Sequence, residues 1–302
     1  MELPGKIALI TGASGFVGGH TARRLLQEGM HVRGLVRRPV ELPGVEIHYS
    51  DITDAATVAP AAVAAHLVVH CAAVLHRATR AQAMRVNAEG TRIILQAALQ
   101  AGCERFIHLS TVSVHAVEGH EVVDETTPLR QMGDAYGESK AMAEQAVWAA
   151  AGKGLKVTVL RPPAILGVGP TAYWFVGMAR RIAAGGFALP GDGRATLPYV
   201  HVDNLIDAIL LAVRSETAVG QAYNIIDGQT SWRAHTDHFR HWLGVGPLPS
   251  MPPETVPPGY RWCGRCSGEK AARELGYTPR VTYQEAMAEA QQHLRQSGVI
   301  KD

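Results

Sequence analysis

Through the first half of the chain, short β-rich apolar runs alternate with longer stretches whose apolar residues recur at helical spacing. KIALIT, HVRGLV, VEIHYS, HLVVHCA, RFIHLST and KVTVLRP predict strands. Stretches around Phe16 to Glu28, Ala55 to Ala64, Ala81 to Gln100 and Tyr136 to Ala151 predict helices. That alternation is the pattern of a parallel sheet covered on both faces, since each crossover carries a helix over the sheet. Right-handed crossovers then give a doubly wound α/β fold, with ligands expected at the carboxyl ends of the strands. A later run, AYNIID at Ala222 to Asp227, predicts a strand that extends the sheet. Pro and Gly become denser after Leu160, in RPPAILGVGP, ALPGDGRATLP and GPLPSMPPETVPPG, so the C-terminal third reads as a smaller, loop-rich lobe. The main domain is expected over residues 1–165, with 198–228 returning to its sheet, and the discontinuous lobe over 166–197 and 229–302.

Ala55 to Leu75 holds no Asp, Glu, Lys or Arg and is about as long as a membrane span. Pro60, His66, His70 and the many alanines instead favour a helix followed by a buried strand. The 302 residues suffice for a large core, and 29 Lys and Arg against 27 Asp and Glu leave a formal charge of +2. So small an excess predicts neither a nucleic-acid nor a membrane partner, and confines anion recognition to local sites. Cys71, Cys103, Cys263 and Cys266 follow an N-terminus, MELPGKIALITG, without a basic or signal-like segment, so a reducing cytoplasm is expected.

The first strand runs into KIALITGASGFVGGH, with Gly12, Gly15 and Gly18 at steps of three before a helix. Gly12 permits the tight turn, Gly15 lets backbone approach a pyrophosphate, and Gly18 lets the helix pack close to the sheet. Phosphates would sit at the helix N-terminus, where free amides and the dipole favour negative charge. This is the arrangement of a Rossmann-type dinucleotide domain. The second strand ends in Arg37, Arg38 and Pro39, where an acidic residue would accept bonds from a free ribose 2'-hydroxyl. Arginine suits a 2'-phosphate, which favours NADP(H) over NAD(H). In SDITD, Asp51 is placed to bond an adenine amino group, and Asp54 or Thr53 to cap the next helix.

These residues together resemble the extended short-chain dehydrogenase/reductase family, the superfamily of NAD-dependent epimerases and dehydratases. TGASGFVG has the form of its cofactor loop, DITD its adenine-side motif, VVHCAA its fourth strand, NAEGT its next helix and YGESK its active-site motif. LRPPAILGVGP, YVHVDNL and YNIIDG extend the likeness over about Ile7 to Pro279. The nearest branch is that of dihydroflavonol reductase and the 3β-hydroxysteroid dehydrogenases. The resemblance implies hydride transfer between a nicotinamide cofactor and a small-molecule carbonyl or alcohol. It makes Tyr136 the general acid/base, Lys140 its electrostatic support and ribose ligand, and Thr111 the group that bonds the substrate oxygen, with Ser110 and Ser113 as neighbours able to substitute. Along the cofactor it places Thr11, Gly12, Ser14, Gly15, Phe16, Val17, Gly18, Arg37, Asp51, Ile52, Cys71, Ala72, Ala73, Asn87, Tyr136, Lys140, Pro162, Ala164 and Ile165. It also implies a homodimer packed through the Tyr-bearing helix and its neighbour. One departure concerns the substrate-side wall: Val114, His115 and Ala116 stand where VYG is frequent.

Two other functions compete. A nucleotide-sugar epimerase or dehydratase with tightly bound NAD uses the same Tyr and Lys, but often an arginine in an RDF-like run, where this chain has Leu197, Pro198 and Tyr199; Arg180, Arg181 and Arg194 are its alternative phosphate ligands. A non-catalytic dinucleotide sensor could dispense with Thr111, Tyr136 or Lys140, and all three are present. No metal is expected: CGRC at Cys263 to Cys266 lacks a second ligand pair, and His235, His238 and His241 read as surface residues. His201 and Asp203 read as structural, and Tyr173, Trp174, Phe175 and Met178 as either an apolar pocket wall or core.

Overall fold

Strand β1 (Ile7–Thr11) opens a computed structural model that describes residues 1–300 apart from 76–77, 131–133, 170–171 and 257. Pro170 and Pro257, in two of the proline-rich runs, therefore lie outside the described residues. After β1 come α1 (Phe16–Gln27), β2 (His31–Val36), β3 (Val45–Tyr49), α2 (Ala55–Ala62), β4 (Leu67–His70) and α3 (Arg80–Ala83). A π-helical turn, Met84–Glu89, joins α3 to α4 (Gly90–Gln100). Then follow β5 (Arg105–Leu109), β6 (Val122–Val123), α5 (Ala135–Ala151), β7 (Val157–Arg161), β8 (Ala164–Leu166), α6 (Met178–Ala183), β9 (Thr196–His201) and α7 (Val202–Arg214). The chain closes with β10 (Gln221–Asn224), β11 (Gly228–Ser231), α8 (Trp232–Leu243), β12 (Arg265–Cys266), α9 (Glu269–Leu275) and α10 (Tyr283–Gln296).

Among the described residues, seven strands form one parallel sheet in the order β10-β7-β5-β4-β1-β2-β3. The order reverses beside β1, between β4 and β2, and such a reversal opens a crevice at the carboxyl ends of the strands. One face packs against α1 and α7, with Ala8, Ile10, Val69, Ile107 and Leu205 in its core. The other packs under α2, α4 and α5 around Leu9, Val68, Phe106, Val147 and Val159. Burial on both faces is why these strands read as unbroken apolar runs. Ala55–Ala62 and Leu67–His70 take up the uncharged stretch as a short helix and a strand, and no helix among the described residues is long and apolar enough to cross a membrane.

A second core gathers Phe175, Met178, Ile182, Leu189, Trp232, Phe239, Met287 and Leu294 from α6, α8, α10 and the turns around them. A three-stranded sheet, β11-β9-β8, borders it. His201 ties the two regions together: its backbone N–H donates to Asp227 Oδ2 (2.6 Å) and its Nε2 meets Glu289 of α10 (3.0 Å).

Candidate active site

The glycine loop leaves an open anion cradle. Gly15 is the N-cap of α1, no side chain caps it, and the first turn holds no acid, so its free amides and dipole are turned outward. Gly12 has φ +69°, and a Cβ there would lie 2.9 Å from Ala72 Cα. A Cβ on Gly18 would stand 2.2 Å from the Gly12 carbonyl oxygen. Thr11 fixes the base of this turn: its hydroxyl accepts from Ala72 N (3.1 Å) and meets His70 Nδ1 (2.7 Å), joining the ends of β1 and β4. These features fit the diphosphate of a dinucleotide, with Ser14 exposed at the rim and Val17 inside the first turn. Phe16 reaches further, for Cβ atoms on Gly167 and Gly169 would meet its ring at 3.0 and 2.8 Å. The first loop and the segment after β8 are thus in direct contact.

Arg37 follows β2 and is exposed. The Asp51 carboxylate is held below its ordinary range first by the backbone amide of Thr53, then by its hydroxyl and by the Arg37 and Arg85 charges. Its Oδ1 accepts from Thr53 N at 2.9 Å and Thr53 Oγ1 at 2.8 Å, while Asp54 caps α2 through Ala56 N. Arg85, unremarked in the sequence, brings a second cation to this edge. Ile52 is buried against Gly90, where a Cβ would lie 2.8 Å from its side chain.

On the other side of the crevice, Asp134 caps α5 by accepting from Gly137 N (2.9 Å). A Cβ on Gly137 would lie 2.7 Å from Ser113 O, so the first turn of α5 presses on the Thr111–Ser113 loop. That approach brings Tyr136 beside Thr111, whose hydroxyl lowers the phenol. Burial outweighs it and, with help from Asp134 and Tyr260, pushes the phenol up to about 12. Ser110 is turned away, donating to Glu144 Oε1 at 2.5 Å. Lys140 is buried and donates to the Leu109 carbonyl (2.5 Å); burial brings it down to about 8, against the opposing charge of Glu144. Its ammonium is directed at this carbonyl, and the group that lowers the Tyr136 phenol is Thr111.

Beneath the crevice lies a polar layer that periodicity does not reveal. Asn87 is buried; it accepts from Val74 N (2.8 Å) and donates to Val74 O (2.9 Å) and Ser139 Oγ (3.0 Å), bracing the Cys71–Val74 loop against α5. His70 Nε2 meets Thr91 Oγ1 (2.9 Å). Its ring stacks on His108 with centroids 5.5 Å apart, and both histidines are held far toward the neutral form, first by burial. Burial also raises the Cys71 thiol to about 12. Arg161 grips Glu144 at 3.0 and 2.6 Å. Pro162 O accepts from Val112 N (3.1 Å), while Ala164 and Ile165 enter β8.

One expectation is corrected, that of His235 as a surface residue. His235 is fully buried in α8, with Nδ1 at 2.9 Å from Tyr283 OH, because α8 turns that face toward α6 and α10; His238 and His241 remain exposed. At the departure from VYG, His115 is buried in the core, its Nε2 at 3.1 Å from Asn224 Oδ1 and its Nδ1 at 3.2 Å from Thr127 O. Phe175 and Met178 are fully buried, and Tyr173 and Trp174 are half-buried. Of the alternative phosphate ligands, Arg181 bonds Gly186 O (2.6 Å) and Tyr173 OH (3.2 Å), and Arg194 pairs with Asp192 (3.0 Å). Cys263 is exposed and Cys266 buried in β12.

Residues 8–225 match the NAD dependent epimerase/dehydratase family, and the chain belongs to it. A 3-beta-hydroxysteroid dehydrogenase of Mycolicibacterium neoaurum is 33% identical over 73% of this chain and 65% of its own length. A 4-hydroxy-2-methyl-3-oxo-4-farnesyl-3,4-dihydroquinoline-1-oxide ketoreductase of Stigmatella aurantiaca is 30% identical over 96% of each chain. The UDP-glucose 4-epimerase of Thermus thermophilus, solved with NAD, superposes with a TM-score of 0.79 at 26% identity, over 96% of this chain and 99% of that one. Within the family the chain is an oxidoreductase of the extended short-chain dehydrogenase/reductase type, acting on hydroxyl or keto groups.

Proposed function

We propose that this enzyme interconverts a ketone and an alcohol on a bulky, largely apolar small molecule, with NADP(H) preferred to NAD(H). The observation that carries the active-site assignment is the close approach of the first turn of α5, which bears Tyr136, to the Thr111–Ser113 loop, with Lys140 one turn further along the same helix. Tyr136 gives its phenolic proton to the substrate oxygen during reduction and takes it back during oxidation. Thr111 bonds the same oxygen and holds it at the phenol, so the developing negative charge meets two preset donors. When bound, the nicotinamide dinucleotide supplies the hydride donor or acceptor. Gly12, Gly15 and Gly18 would hold its phosphates, Asp51 and Ile52 would border its adenine end, Cys71 to Ala73 and Asn87 its middle, and Pro162, Ala164 and Ile165 its nicotinamide end. Lys140 would bond its ribose hydroxyls.

Bulk and apolarity of substrate are supported by a run of aromatic rings in the C-terminal third. Tyr173 to Trp174, Trp174 to Trp232 and Trp232 to Tyr260 have centroids 5.5, 5.4 and 5.4 Å apart, and Tyr260 acts on the Tyr136 phenol. Relatives named for a hydroxysteroid and a farnesylated quinoline agree with such a wall. In the same reading the protein is a cytoplasmic homodimer, consistent with four free thiols.

NADP(H) preference rests on Arg37, exposed beside Asp51. NADPH and NADH are titrated into wild type and Arg37→Ala by nucleotide fluorescence. A charge-assisted phosphate contact is worth roughly 1.5–3 kcal/mol, so the variant should lose about 10–100-fold in NADPH affinity and little for NADH. Equal wild-type affinity for the two refutes the preference. A panel of ketosteroids and hydroxysteroids under the preferred cofactor then tests the substrate class, and turnover confined to nucleotide sugars would reject it.

A further inference from the structure

Glu144 lies one turn beyond Lys140 on α5, yet it is completely buried. Its oxygens receive two bonds from Arg161 at the end of β7 (3.0 and 2.6 Å) and one from Ser110 after β5 (2.5 Å). A lone buried ion pair earns little stability, because desolvation offsets its attraction. The placement matters more. Lys140 is equally buried, and its acceptor at 2.5 Å, Leu109 O, is neutral; no ion pair holds its ammonium among the described residues. Around it stand Cys71 after β4, His70 on β4, His108 on β5, Arg161 on β7 and Glu144 on its own helix. The two histidines are neutral, His108 finds no partner for either ring nitrogen among the described residues, and the Cys71 thiol is protonated. Glu144 is therefore the anion that this layer offers to the lysine.

Resting on the active-site reading above, we propose that Glu144, clamped by Arg161 and Ser110, is a positioning residue that keeps Lys140 a cation at the ribose side of the crevice. The clamp matters because a free carboxylate in such a layer would take up a proton and lose its effect. Wild-type Lys140 already sits at about 8, and Glu144 is first among the groups that raise it. Replacing Glu144 by glutamine removes that support and leaves Arg161 as an unbalanced positive charge, so both changes move Lys140 toward the neutral amine.

The test reads Lys140 directly, in cofactor-free protein labelled with 13C-lysine, its Cε resonance assigned by comparison with Lys140→Met. In Glu144→Gln the Lys140 titration midpoint should fall by roughly 1–3 pH units, the size of a lost opposite charge. Glu144→Asp, which keeps the charge but draws it back by one methylene, should give a smaller fall. An unchanged midpoint in folded Glu144→Gln overturns the proposal; where that variant does not fold, an unchanged midpoint in Glu144→Asp does so. Turnover provides a second readout: the alkaline fall of kcat/KM should move to lower pH in Glu144→Gln, and a limb that stays in place counts against the coupling. Tyr136→Phe keeps the two readings apart, because its retaining full turnover would refute the active-site assignment while leaving the Lys140 titration to decide this one.

Discussion

Replacing Gly18 by alanine tests the cofactor cradle at its tightest point. The added Cβ would lie 2.2 Å from the Gly12 oxygen, 2.8 Å from Gly12 C and 3.1 Å from Ala13 Cα. Ordinary contact begins near 3.4 Å, so the Gly12–Ala13 backbone must retreat by more than an ångström, and no flexible side-chain end is there to give way. Overpacking of this kind costs about 1–3 kcal/mol. For a chain of this size that is a fall in Tm of roughly 2–4 °C per kcal/mol. On the proposed cofactor site the larger effect falls on binding, because the displaced amides are those that would face the phosphates; a misplacement of about 1 Å in a positioning element can cost ~100-fold. Dinucleotide affinity should therefore drop by about that factor. Gly246→Ala is the control, since a Cβ there meets nothing within 4 Å. Fluorescence titration gives the affinities and differential scanning fluorimetry the Tm. If folded Gly18→Ala binds NADPH within about threefold of Gly246→Ala, the close approach of α1 to the glycine turn does not shape the site.

Tyr136→Phe should leave the fold intact and reduce kcat by about 10²–10⁴, the usual share of a positioned proton donor. Thr111→Val should cost about 10²–10³ in kcat through loss of one donor to the substrate oxygen, and steady-state turnover in both variants checks the pair; wild-type rates would reject their roles. Stability should also depend on pH through His70 and His235, which burial holds down to about 3 and about 4, and through His108, lowered by the same cause. Each would titrate near ~6.5 when unfolded, so below that pH the unfolded chain binds more protons and stability is lost as pH falls toward the folded values. The slope is at most about 1.4 kcal/mol per pH unit for each histidine. Melting curves from pH 7 down to about 5 should show Tm falling, less steeply in His235→Phe, and a flat profile would contradict the neutral assignment.

The parallel sheet was legible because its strands are buried on both faces and its helices carry caps or glycine turns at their starts. Predicted and observed limits agree closely for HVRGLV, which forms β2, and for the Tyr136-bearing helix, which starts one residue earlier at Ala135. The two-residue strands β6 and β12 were not legible: Val122 pairs with Arg265 and Val123 with Cys266, across segments that share no local pattern. The π-helical turn Met84–Glu89 was also missed, because it lies inside an uninterrupted helical periodicity.

The candidate site was legible on its cofactor face and hidden on its inner face, for one physical reason. Gly12, Gly15 and Gly18 announce themselves through residue type, since only a missing side chain permits their geometry. Lys140 and Glu144, in contrast, have the spacing of an ordinary exposed helix pair, which stabilises by only a few tenths of a kcal/mol. What makes Glu144 different is Arg161, seventeen residues away and on a strand, reaching it through a layer where water is excluded. His70 and His108 are likewise unremarkable until β4 and β5 pair in register and stack them. A polar residue's meaning in this protein is set by which neighbour the sheet delivers to it. Periodicity finds the sheet but is blind to that delivery. The electrostatics of Lys140, and with them the pH behaviour of the enzyme, therefore depend on three strand ends meeting one helix.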